Sequence, residues 1–277
     1  MIDLHCHLLP GIDDGAPDLA TSLEMARIAI DDGIETIVCT PHIMPGVFDN
    51  EPADIRARVA HLARELGERG LALRLAAGSD AHIRPDFVAA LRTDRVQPIA
   101  GGRYVLFEPP HNVVPPRMED CLFDIQAAGY VPILTHPERL TWIEEKYDVV
   151  ASLARSGVLI QLTAGAITGV FGPRPRYWSE RMLDEGLVHV VSSDGHNTRR
   201  RRPAMREAAE ACARLLGAAE ADNLVRVRPL GVLSDAPLEK LPELPERSRP
   251  KVGLLSGLLR RLRPSAAPAA RARRAGR

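Results

Sequence analysis

The sequence predicts an α/β barrel of seven βα units, and three observations carry that expectation. Short apolar runs alternate with longer amphipathic stretches along most of the chain. The runs are nearly continuously apolar, which suits parallel strands covered on both faces. Seven such units occur without the glycine fingerprint of an open dinucleotide-binding sheet. The 277 residues accommodate one barrel of this kind, which typically needs about 250.

The elements follow in order. "IDLHC" (2–6) reads as the first strand and 19–32 as its helix; "ETIVCT" (35–40) leads into a helix over 53–69. "LALRLAAG" (71–78), "RYVLFE" (103–108) and "YVPILT" (130–135) give the third to fifth strands, with helices over 116–128 and 145–156. "GVLIQLT" (157–163) and "LVHVVSSD" (187–194) complete the set, and a helix over 203–217 follows the last strand. The barrel is expected to span 1–228. Residues 229–277 read as a proline-punctuated linker ("PELPERSRP") and a low-complexity tail ("APAARARRAGR"). Within that region "VGLLSGLLRRLR" (252–263) carries a one-sided leucine stripe beside arginines, a candidate for peripheral membrane or partner contact.

Composition bounds the function. From Glu246 onward there are ten basic residues against one acid, leaving 26 basic and 35 acidic residues in an acidic body. No nucleic-acid partner is expected. Asp3, His5 and His7 break any early apolar run, and no stretch approaches the roughly 18 apolar residues of a membrane span. A cytoplasmic protein is expected, with the tail as its candidate contact to the inner face of the membrane. Cys6, Cys39, Cys121 and Cys212 show no C-x-x-C spacing and read as small buried apolar residues.

Nearly every expected strand delivers a histidine or carboxylate at its C-terminal end. His5 and His7 end the first, with Asp14 in the following turn; His42 follows the second and Asp80 the third. Glu108 ends the fourth, His136 follows the fifth, and Asp194 and His196 follow the seventh. In a parallel barrel these ends meet on one rim. An H-x-H pair on a strand puts both imidazoles on one face. Nine imidazole and carboxylate candidates exceed what one ion needs, and a set without thiolate suits Mn, Fe or Zn. Closely spaced ions clamp a phosphoryl group. Arg139, three residues after His136, is a candidate grip for phosphate oxygens, as is one of Arg199–Arg202. His61, His111 and His189 read as structural or surface residues, His82 stays open, and Asp13 reads as orienting its turn.

The motifs "DLHCHLLPGIDDG", "TPH", "GSDAH", "FEPP", "THPER" and "SSDGHN", in this order, resemble the PHP (polymerase and histidinol phosphatase) superfamily. They are most similar to its bacterial CpsB/CapC-type branch of manganese-dependent protein-tyrosine phosphatases linked to capsule and exopolysaccharide synthesis. The resemblance covers about residues 1–225 and implies a distorted (β/α)7 TIM-like barrel, the PHP fold, with up to three Mn ions. It implies that His5, His7 and Asp194 hold one ion, and that Asp80 bridges to a second held by Glu108 and His136. Asp14, His42 and His196 would hold the third, and Arg139 and Arg202 would bind phosphate. The family usually has glutamate at the place of Asp80. The implied substrate is a phosphotyrosine protein, a bacterial tyrosine kinase first among candidates.

Cysteine-based tyrosine phosphatases need C-x5-R, and none of the four cysteines has arginine six residues on. A small-molecule phosphatase of histidinol-phosphate type or a phosphodiesterase is the nearest alternative. A metal-dependent amidohydrolase would need a mid-barrel lysine where Asp80 and Glu108 stand. A non-catalytic binding module would not need nine ligand positions.

Overall fold

The computed structural model describes residues 1–245. The tail and its 252–263 segment lie outside the described residues. Among the described residues, nine strand pieces make seven parallel staves. They are β1 (Ile2–Cys6), β2 (Thr36–Cys39) continued by β3 (His42–Ile43), and β4 (Arg74–Ala77) continued by β5 (Asp80–His82). Then come β6 (Tyr104–Glu108), β7 (Val131–Thr135), β8 (Leu159–Thr163) and β9 (Val190–Ser192). The hydrogen-bonded orders are β1-β2-β4 and β3-β5-β6-β7-β8-β9. The last stave meets the first where Cys6 pairs in parallel with Gly195. There Asp194 N–H donates to the His5 carbonyl at 2.9 Å and His7 N–H to the Gly195 carbonyl at 2.8 Å.

Helices cover the outside where the amphipathic stretches stand: α1 (Leu19–Asp31), α2 (Pro52–Glu68), α4 (Met118–Ala127), α5 (Ile143–Arg155) and α8 (Arg206–Leu216). The Asp18 side chain caps α1 through the Thr21 N–H at 2.8 Å, and Pro52 starts α2 where a missing N–H costs nothing. The short α3 (Phe87–Arg92) and α6 (Ala164–Ile167), and the polar α7 (Pro173–Asp184), were not legible as periodic stretches.

Alternation along the staves sorts two cores. Ile2, Leu4, Val38, Tyr104, Leu106, Ile133, Leu159 and Val190 fill the barrel interior, while Ile37, Val105, Phe107, Leu134, Ile160 and Val191 face the helices. The chain does not become a linker at residue 229. Beyond the small α9 (Ala218–Asp222), α10 (Arg228–Leu233) and residues up to Leu241 put Val232 and Leu241 into the interior cluster. Fully buried Arg228 bonds Glu220 at 2.8 Å and the carbonyls of Pro242 and Glu243 at 2.8 Å each. Tyr104 donates its hydroxyl to the Ala236 carbonyl at 2.6 Å. The region looked like linker because prolines and charged residues interrupt its apolar positions, yet it plugs the barrel end opposite the histidines.

Candidate metal centre and its family

All nine expected ligands converge on the C-terminal rim, and seven of them are buried: His5, His7, Asp80, Glu108, His136, Asp194 and His196. Their donor atoms fall into overlapping sets within 4.8 Å: His7, Asp14, His42 and His196; His5, His7 and Asp80; His42, Asp80 and Glu108; and Glu108, His111 and His136. Asp194 joins through Oδ1, which lies 3.5 Å from His5 Nε2 and 3.6 Å from His7 Nε2.

Local backbone places these side chains. Ile2 and Leu4 point into the barrel, so plain alternation would turn His5 outward. The β1–β2 register shifts between Asp3 and Cys6, an irregularity of the kind that re-aims side chains beside active sites. His5 thereby turns inward, where its Nδ1 meets Gln161 Oε1 at 3.0 Å. Breaks at Thr40–Pro41 and Gly78–Ser79 release His42 and Asp80 onto the rim. His136 (φ 35°) and Asp194 (φ 51°) sit in the left-handed region, a strain of order 1–3 kcal/mol each that functional sites retain. In "DDG", a Cβ on Gly15 would come within 2.3 Å of the His7 carbonyl oxygen, so only glycine lets the turn close on the strand.

The electrostatics suit cations. Burial opposes ionisation of Asp194, but Arg201 first, then His196, His5 and Arg139, hold its carboxyl well below the usual range. Burial and Glu108 likewise oppose ionisation of Asp80, yet His5 and His136 keep it low. Burial opposes ionisation of Glu108 too, but the nearby imidazoles of His111, His42 and His82, at 3.3–3.5 Å, hold its carboxyl well below the usual range. Burial and the neighbouring His196 push His7 down to about 4, and burial with Arg139 pushes His136 down to about 4. Buried His5 is instead carried up to about 9 by Asp80 and Asp194.

The residues fit a metal. Both Asp80 carboxylate oxygens, His42 Nδ1, His136 Nδ1 and His196 Nε2 are buried without a hydrogen-bond partner, a rare state that calls for a specific cause. Imidazole nitrogens and carboxylate oxygens are the donors that Mn, Fe and Zn accept. The buried Cys6 and Cys39 thiols are pushed well up and supply no thiolate.

The arginines divide. Arg139 donates Nη1 to Asp194 Oδ2 and lies 5.2 Å over the Phe171 ring. From the 199–202 run it is Arg201 that reaches the cluster, donating Nη2 to Asp194 Oδ2 at 2.8 Å, with Nη1 3.8 Å from Asp14. Arg202, the expected partner, is exposed on an adjacent cavity and takes no part in the cluster. The run turns at this point so that only its third side chain faces inward.

Four contributors were missed or undervalued in the sequence. His111 lies 3.4 Å from Glu108 and packs edge-on to His136; its spacing of three from Glu108 was the available signal. Gln161 had no signal beyond standing on a strand. Buried Glu138, within "HPER", accepts the Thr163 N–H at 2.8 Å, and burial raises its carboxyl to about 7. Asp13 turned out to orient His7 itself as well as the turn, at 2.6 Å.

The comparisons fit this geometry. The tyrosine-protein phosphatase YwqE of Bacillus subtilis is 38% identical over 73% of this chain and 79% of its own. The tyrosine-protein phosphatase CpsB of Streptococcus pneumoniae is 27% identical over 85% and 99%. A crystal structure from work on YwqE and CpsB, described as unique metal-dependent tyrosine phosphatases, superposes with a TM-score of 0.83 at 33% identity. It covers 89% of this chain and all of that one. The model of the capsular polysaccharide synthesis family CpsB/CapC matches residues 1–234. With that match, and the ligand cluster standing intact on its barrel rim, the chain belongs to the CpsB/CapC family.

Proposed function

We propose that the chain is a metal-dependent protein-tyrosine phosphatase. The observation that carries this reading is the clustering of the ligand side chains on one rim, with two arginines, Arg139 and Arg201, meeting one of those ligands, Asp194. Mn is the proposed ion, up to three per site, with Fe and Zn as the other candidates. The nine residues would hold it: His5, His7, Asp14, His42, Asp80, Glu108, His136, Asp194 and His196. Bound there, the ions would lower the pKa of a water, neutralise phosphate charge and stabilise the departing phenolate.

The chain's own residues do the rest. Arg139 and Arg201 bring planar forks to the rim, the geometry that grips phosphate oxygens in pairs. Asp194 aims both until substrate arrives, while its other oxygen faces the imidazoles. Phe171 supports Arg139 from below. Met44, Phe48, Pro110 and Val113 line the mouth of a cavity of about 380 Å³, an apolar collar matched to the ring of phosphotyrosine rather than to a sugar. Phe48 also stacks on His42 at 5.5 Å. The proposed natural substrate is a bacterial tyrosine kinase, met in the cytoplasm. Among the described residues no helix is long and apolar enough to cross a membrane.

Metal-reconstituted protein should turn over phosphotyrosyl peptide, lose that activity to chelator, and regain it with Mn. Faster turnover of histidinol phosphate or a bis-phosphate ester would replace this reading with the small-molecule alternative.

A further inference from the structure

Among the described residues, Arg201 alone of the four consecutive arginines at 199–202 has a carboxylate partner. Arg200 donates to the Val170 carbonyl at 3.2 Å. Among the described residues, no hydrogen bond or ion pair is made by the guanidinium of Arg199 or Arg202. Elsewhere exposed arginines commonly reach acids, as Arg56, Arg117 and Arg226 do. Arg92 and Arg155 are exposed without an acid partner among the described residues too, but Arg199 and Arg202 stand together on one cavity.

Arg199, Arg200 and Arg202 line a cavity of about 230 Å³ with Thr168, Gly165 and Phe171. Its partition from the metal cavity is made of site residues. Arg201 lines both spaces, and Phe171 lines this one while supporting Arg139. Two acids are also present. Asp32 is engaged by the Met205 and Arg206 N–H groups at the start of α8, and Glu207 is exposed. Neither neutralises Arg199 or Arg202. The cavity is thus open, cationic, and one side chain away from where the phosphate would bind.

We infer that this cavity is a second anion subsite that receives an acidic group on the same polypeptide, beside the phosphotyrosine being cleaved. The inference rests on the phosphatase reading of the main site and adds to it a sequence preference. The chemistry is that of an oxyanion, which either a carboxylate side chain or a second phosphate provides. Guanidinium groups serve both through charge-assisted hydrogen bonds, and a cationic exosite raises encounter rate as well as affinity.

The test uses the full-length, metal-loaded protein and the variant Arg199→Gln/Arg202→Gln, which leaves Arg201 and the Arg200 brace in place. Three phosphotyrosyl peptides differ only in the flank: neutral, glutamate-bearing, or bearing a second phosphotyrosine. p-Nitrophenyl phosphate serves as the substrate with no flank. The wild type should show a KM about fivefold lower for one or both anionic peptides than for the neutral one. The variant should lose that advantage with kcat unchanged, and with neutral peptide and p-nitrophenyl phosphate unaffected. Which anionic peptide loses more identifies the source of the anion. Binding of the same peptides, followed by fluorescence anisotropy in low and high salt, should show the same preference. Equal KM values in the wild type, or a variant that loses activity on p-nitrophenyl phosphate as well, would overturn the subsite. Should the wild type cleave no phosphotyrosyl peptide, the phosphatase reading falls, and the subsite is then decided by whether the binding preference exists and disappears in the variant.

Discussion

His7 Nδ1 lies 2.6 Å from Asp13 Oδ2, and that contact decides which nitrogen of His7 faces the metal cluster. With Nδ1 committed, Nε2 is left 3.6 Å from Asp194 Oδ1 and 3.2 Å from His5 Nε2. The same carboxylate receives the His42 N–H at 3.0 Å and the Gly15 N–H at 2.9 Å. One side chain thus ties the first stave, its turn and the second stave together. Carboxylates behind metal-bound histidines tune affinity by about 10–100-fold. Asp13→Ala should lose metal by that factor in competition against a fluorescent chelator, with its far-UV circular dichroism retained. Unchanged affinity would reduce Asp13 to a turn former.

Asp80 predicts how metal and stability are linked. It is fully buried, its oxygens have no hydrogen-bond partner, and Oδ2 lies 3.4, 3.6 and 3.8 Å from His5, His42 and His136. An ion bound only by the folded chain stabilises it by about 2.7 kcal/mol at a hundredfold excess over Kd. For a domain of this size that raises Tm by about 5–10 °C. Differential scanning fluorimetry of wild type with and without Mn should show the rise. Asp80→Ala should abolish most of it. An Asp80→Ala protein still stabilised by the full increment would remove Asp80 from the ligand set.

Arg201 and Arg202 are adjacent in sequence and should differ sharply in effect. Removing a positioned donor from developing charge costs about 10²–10³ in kcat. Arg201→Ala should therefore lose that much on p-nitrophenyl phosphate, and Arg139→Ala a similar amount. Arg202→Ala should stay within about twofold on the same substrate. The reverse ranking would return Arg202 to the site in place of its neighbour.

The staves and the ligand set were legible because each leaves a mark in one dimension. An apolar run ending in histidine or carboxylate is visible without knowing its neighbours, and seven of them imply a shared rim. What was not legible depends on how the backbone departs from the ideal. Plain alternation turns His5 outward, and only the shift between Asp3 and Cys6 corrects it. Arg201 was missed in favour of Arg202 because the direction of a side chain in a turn follows from dihedral angles that four identical residues do not disclose. The packing of Val232 and Leu241 under the barrel was hidden because prolines and charges break the apolar residues of 229–245 into pieces too short to carry a periodic signal.

His189 gives a prediction about acid stability away from the metal site. Its Nδ1 accepts the Ile160 N–H at 3.0 Å, so the ring is held neutral, and burial followed by the Arg228 charge lowers it to about 3. In the unfolded chain the same ring takes up a proton near 6.5. Between those values the unfolded state binds more protons, so stability falls as pH drops below about 6.5 and levels off near 3. The loss from pH 7 to 5 should be about 1–2 kcal/mol from this residue alone. His189→Asn keeps an oxygen to accept the Ile160 N–H but has no proton to gain. Urea unfolding of metal-free wild type and variant at pH 7 and pH 5 isolates the effect, because the site's own titrations are common to both. The variant should lose less stability on acidification by that amount. An identical loss in the two proteins would mean that His189 stays uncharged in the unfolded chain or is charged in the folded one, contrary to its position between Ile160 and Arg228.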